Sequence, residues 1–104
     1  MAQSTESQFD MGYTDIEFAK VLQGNFTGVN SPFNCKRQQN NSWLISHDKS
    51  AMQIEIFTQS KAARVLGAMS LPVLTVTFNV SSSTTEQTAF FFDKFFKYFH
   101  KGGG

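Results

Sequence analysis

The sequence predicts an α+β domain: a two-layer sandwich in which an antiparallel sheet of three to five strands carries an N-terminal and a C-terminal helix on one face. Three observations predict it. Two segments with helical periodicity and recognisable caps lie near the two ends of the 104 residues, and between them apolar and polar residues alternate with period two. The third is the lack of the strand–helix–strand spacing that a parallel sheet requires. The best-patterned strands each have one apolar and one polar face, so the sheet is covered on one side and both helices share that side.

Residues 1–12 are polar and lack periodicity, and are expected to be flexible, leaving 13–104 as a single domain. Thr14 and Glu17 form a capping box, with Tyr13 placed to meet Phe18 as a hydrophobic staple. The first helix is expected from Asp15 to about Gln23, stopped by Gly24, with Phe18, Val21 and Leu22 on its apolar face. From Asn25 to Asn41 the run NFTGVNSPFNCKRQQNN is dense in turn formers and reads as a short edge strand within 25–29 followed by a loop.

Trp43–Ser46 and Ala51–Thr58 read as strands paired in a hairpin about the turn His47-Asp48-Lys49-Ser50. In the second, Met52, Ile54 and Ile56 alternate with Gln53 and Glu55, and Phe57 falls on the polar face as an exception. Gln59–Ala62 reads as a connection, and Arg64–Met69 as a strand. Pro72 cannot donate to a ladder and marks a strand start or an edge. Leu74, Val76, Phe78 and Val80 then face one way, with Thr75, Thr77 and Asn79 facing the other.

The last element, from Ser83 to Lys101, dominates the chain. Ser83 and Glu86 match a capping box, Gly102 follows the end, and Lys97, His100 and Lys101 suit the negative end of the helix dipole. At 100° per residue, Thr88, Phe91, Phe92, Phe95, Tyr98 and Phe99 fall in one apolar sector. Each fully buried Phe contributes roughly 1.5–3 kcal/mol. The stripe therefore needs a sheet face to lie on, and the expected core sets Phe91, Phe92, Phe95 and Phe99 against Leu74, Val76 and Phe78, with Phe18 and Leu22 beside them.

Composition narrows function by exclusion. A net charge of +1 with 16% charged residues is too neutral for a broad nucleic-acid surface or an anionic-membrane footprint, and no apolar run is long enough for a membrane span. One cysteine, Cys35, and an N-terminus without a basic and apolar leader point to a cytoplasmic protein. The sequons at Asn25, Asn40 and Asn79 are what chance supplies in an Asn- and Ser-rich chain. Cys35, His47 and His100 do not have metal-ligand spacing, and the glycines form no phosphate-cradling motif, so no cofactor, metal or catalytic residue is assigned.

What remains is a non-enzymatic binding or interaction module. Phe90 lies about 140° from the centre of the apolar stripe, on the side shared with Lys94, Lys97 and Lys101, and Phe96 sits at the stripe's margin. An aromatic ringed by lysines suits a protein partner or self-association, including a homodimer. Two alternatives come from other classes. A free diglycine tail is activated at its carboxylate in ubiquitin-like carriers, which suggests a C-terminal-glycine carrier activated at Gly104, although here the tail follows a helix and not a strand. A small thiol enzyme would use Cys35, whose neighbours Lys36 and Arg37 lower a thiol pKa. Placed in a loop without fixed geometry, Cys35 is expected to titrate as an ordinary cysteine.

Overall fold

The computed structural model describes residues 4–26 and 32–99. In order they form β1 (Ser4–Met11), α1 (Asp15–Asn25), β2 (Phe33–Gln39), β3 (Ser42–His47), β4 (Gln53–Leu66), β5 (Met69–Ser81) and α2 (Thr85–Tyr98). The strands make one antiparallel sheet in the order β1-β5-β4-β3-β2. Both helices cover the same face, which is the expected two-layer α+β arrangement.

Residue parity explains which face is covered. Ile54 and Ile56 of β4, and Leu74, Val76, Phe78 and Val80 of β5, are buried under the helices, whereas Gln53, Glu55 and Phe57 are exposed. The α2 stripe meets them as the 3.6-residue period requires. Phe91, Phe95 and Phe99 are buried, and the ring of Phe78 lies edge-on to Phe95 at 4.9 Å and to Phe92 at 5.1 Å. Phe92 itself is only partly buried. From α1, Phe18 packs on Trp43 at 5.6 Å and on Phe99 at 4.9 Å, so one side chain ties the first helix to both the sheet and the second helix.

Several sequence expectations are corrected. Residues 4–11, expected to be flexible, form β1 along the edge of β5 from Ser4↔Ser81 to Met11↔Leu74. Only Phe9 and Met11 give this strand an apolar face, too few to register as a pattern. The segment expected as a loop contains β2, with Phe33 and Cys35 on the covered side; the expected edge strand at 25–29 falls partly on α1 and partly outside the described residues. Helix α1 runs through Gly24 to Asn25, whose side chain donates to the Val21 carbonyl at 2.8 Å. Helix α2 is capped by Thr84 with Gln87 instead of Ser83 with Glu86. The sequence offers two overlapping boxes, and Ser83 Oγ is engaged with Thr88 Oγ1 at 2.8 Å.

The largest difference concerns residues 59–73. The expected connection at Gln59–Ala62 does not exist, and Arg64–Met69 is no separate strand: β4 continues unbroken to Leu66 and turns back into β5 at Met69. Gly67, at φ +62°, is the first residue of the two-residue turn closed by the Leu66↔Met69 pair, a position that glycine fills without strain. Pro72 lies inside β5. Between the pairs Lys61↔Val73 and Arg64↔Leu71, β4 has one residue more than β5, and this bulge lies where Pro72 has no N–H to donate.

Candidate interaction surface

The β4–β5 hairpin outruns its neighbours. Strand β3 pairs with β4 only from Gln53 to Phe57, and the Asn41 side-chain amide then donates to the Thr58 carbonyl at 3.1 Å while the Asn41 backbone carbonyl accepts the Thr58 N–H at 2.9 Å. That clamp ends the sheet on one side. On the other side β1 stops pairing at Met11↔Leu74. Beyond these points the two strands continue as a free ribbon, and every residue from 59 to 70 is exposed. At ~3.3 Å per residue the 14 residues of β4 span ~46 Å, which accounts for the 49 Å long dimension of the molecule. The radius of gyration, 14.2 Å, accordingly exceeds the ~13 Å of a rounded chain of this length.

The ribbon, hereafter the arm, is apolar at its tip. Val65, Leu66 and Met69 are 70%, 56% and 62% exposed. Behind the tip stand Lys61 and Arg64, and no acidic residue occurs between Glu55 and Glu86. Because β5 has no bulge, parity carries through it: Met69, Leu71 and Val73, with their partners Leu66, Arg64 and Lys61, continue the sheet face that the helices leave open. That open face is otherwise polar. Gln8 Nε2 donates to Thr77 Oγ1 at 3.1 Å, Thr75 Oγ1 donates to Asp10 Oδ1 at 2.7 Å, and Phe57, 39% exposed, borders a shallow hollow with Asn41, Gln59, Thr75 and Thr77.

The residues singled out from sequence are distributed as follows. Phe90 is 51% exposed on α2, as its helical phase requires, but its ring is not free: it stacks on Phe33 at 6.2 Å, and Lys94 Nζ lies 5.6 Å from its centroid. Phe90 and Lys94 are thus brought together and Lys97 is exposed on the same helix, while Lys101 lies outside the described residues. Phe96 is 39% exposed and packs on Phe9 at 5.3 Å. His100 and the glycines 102–104, on which the carrier reading depends, also lie outside the described residues.

Cys35 is not a loop cysteine. It sits on β2, half-buried against the core, and burial pushes its thiol up to about 11. The shift is opposite to activation: at neutral pH only about one thiol in ten thousand is ionised, whereas catalytic cysteines are held low by cations or helix N-termini. His47 has a structural setting, since its Nδ1 accepts the Lys49 N–H at 3.1 Å and its ring meets Phe33 at 5.2 Å. Among the described residues, no three His, Cys, Asp or Glu side chains gather at one point, and no helix is long and apolar enough to cross a membrane.

The arm is what sequence reasoning missed. Its signal was Leu66-Gly67-Ala68-Met69, a glycine at the first central position of a two-residue hairpin between apolar flanks. Ala62-Ala63 and Pro72 obscured it by breaking the alternation on both sides. In comparison with known proteins, no family model, no curated protein and no solved structure matches the chain.

Proposed function

We propose that this protein is a non-enzymatic interaction module that engages a protein partner through the β4–β5 arm. The observation that carries the reading is the exposure of Val65, Leu66 and Met69 at the end of a ribbon that contributes nothing to the core. Apolar side chains held that far from the domain add no stability to it. Burying Leu66 and Met69, which share one face of the ribbon, on a partner would contribute roughly 1 kcal/mol or more each, given 1.5–3 kcal/mol for full burial of such a side chain.

Chemistry favours protein over the other macromolecular classes. Membrane-surface elements use clusters of four or more cations and interfacial aromatic rings. The arm has two cations and no aromatic residue, and without stacking rings it equally lacks the platform of a single-strand binder. Pro72, the bulge, Lys61 and Arg64 are devices that discourage indiscriminate pairing along the exposed strand edges, so the contact is made by side chains on the ribbon's faces. The patch of Phe90 with Lys94 and Lys97 is the smaller candidate, because Phe33 and Lys94 already occupy much of the ring.

The test replaces the tip by Val65→Thr, Leu66→Ser and Met69→Ser together. The melting temperature should hold to within about 4 °C, as surface changes of about 0.5 kcal/mol imply, while proteins cross-linked to the wild-type chain in cell extract are lost. An identical cross-linking pattern for the two chains would refute the proposal.

A further inference from the structure

We infer that a second copy of this chain is the partner, bound in a two-fold dimer in which each arm lies across the open sheet face of the other copy. The inference rests on the arm being a protein-contact element. It adds the identity of what the arm contacts.

Charge complementarity carries the argument first. The open face has two halves of opposite sign. The arm half presents Lys61 and Arg64 without an acid, whereas the body half presents Glu6, Asp10 and Glu55, all exposed, with Lys36 only on the far strand β2. Arg64 on one copy's arm therefore suits an acid on the other copy's body. The apolar residues are distributed the same way, with Leu66 and Met69 at one end of the hairpin and the half-exposed ring of Phe57 towards the other.

Spacing then selects the arrangement. Along β5 the Met69 and Thr77 rows lie four residues either side of Val73, and Phe57 pairs with Thr77. A two-fold axis across the strands at Val73 places the Leu66–Met69 pair of one copy over Phe57 of the other. The same operation places the Arg64–Leu71 row over the row formed by Asp10, Thr75 and Gln59, while Lys61, in the Val73 row on the axis, lies beside its own counterpart, so Arg64 with Asp10 is the complementary pair. Such a contact is isologous and closes at two copies, with the sheets face to face at about 10 Å. Each arm covers ~23 Å by ~10 Å, so a copy commits ~460 Å² of planar footprint. The pair then buries about 920 Å², the size of weak and transient contacts, and because even standard-size interfaces can be only micromolar, the dimer is reversible with a dissociation constant of about micromolar or weaker.

Sedimentation equilibrium of the full chain from about 1 to 500 μM should show monomer and dimer in exchange, in keeping with that constant. Arg64→Asp should weaken dimerisation at least about tenfold, through like charges at the contact, and adding Asp10→Arg to it should restore the wild-type constant. Mixed Met69→Cys and Phe57→Cys chains, in a Cys35→Ser background that melts as the wild type or with Cys35 kept where it does not, should form the heterologous disulfide. A chain that stays monomeric across the series overturns the second copy as occupant; the tip variant's loss of cross-links to other proteins would then still uphold the arm reading. A dimer indifferent to Arg64→Asp, or linked only from Met69→Cys to Met69→Cys, overturns the arm-on-face contact.

Discussion

Phe95→Ala is the perturbation with the best-defined cost. The Phe95 side chain is fully buried, and ring neighbours surround it from three parts of the chain: Phe18 and Phe26 at 6.3 and 6.4 Å, Phe78 at 4.9 Å, and Phe91 and Phe96 on its own helix with Phe99 at that helix's C-cap, at 6.0, 5.2 and 4.3 Å. Truncation removes about 130 Å² of buried apolar surface, worth about 3 kcal/mol at 25 cal/mol/Å². The cavity adds up to about 2 kcal/mol if its walls stay in place. They largely should, because rings anchored in α1, β5 and α2 cannot all move inward without breaking other contacts. The expected loss is therefore about 4–5 kcal/mol, a large part of the 5–15 kcal/mol that holds a domain of this size together. Urea unfolding followed by circular dichroism measures it, and calorimetry should show a fall of roughly 15–25 °C. A loss under about 1.5 kcal/mol with an unchanged m-value would refute the placement of α2 on the sheet.

Three further outcomes follow from local geometry. Phe90→Ala should cost about 1–2 kcal/mol, more than an ordinary surface change, because the ring stacks on Phe33; a cost below about 0.5 kcal/mol by denaturant titration would show that the stack contributes nothing. Because burial raises the Cys35 thiol from 9.0 to about 11, the folded state favours the neutral form. Its contribution to stability is complete below pH 9 and is lost as pH rises towards 11, and alkylation of the native chain at pH 8 should be far slower than that of the unfolded chain; equal rates would contradict the burial. Gly67→Ala should cost about 1–2 kcal/mol for a left-handed residue, although a Cβ there meets nothing within 4 Å. The loss should appear as faster amide exchange along the arm, with the protection of β5 from Leu74 to Ser81 preserved; loss of protection throughout the sheet would show that the arm supports the body.

Phe90 on α2 is less available to a partner than the tip of the hairpin because part of its ring is covered by Phe33. Helical phase located Phe90 on the side away from the stripe's centre, and that location holds. Phase carries no information about Phe33, which is distant in sequence and reaches Phe90 only because β2 forms the sheet's edge beside α2. A ring that looks free on its own helix is thereby half used in packing.

The sequence by itself determined what depends on near neighbours in the chain. The capping box at Thr14, the apolar stripe of α2, the alternation in β4 and β5 and the polar, uncovered sheet face all follow from residues within a few positions of one another. Tertiary structure decided what depends on partners far along the chain. Strand β1 has little apolar pattern of its own and exists because β5 offers it an edge, and the polar half of β2 is held by backbone pairing to β3, which is indifferent to side-chain type. Cys35 titrates high because the sheet turns it towards the core. The arm is the clearest case: the turn at Gly67 is locally encoded, but whether the hairpin projects as a free ribbon or lies within the sheet is decided by where β1 and β3 stop, at Met11 and at the Asn41 clamp on Thr58. Nothing inside the segment itself encodes those two endings.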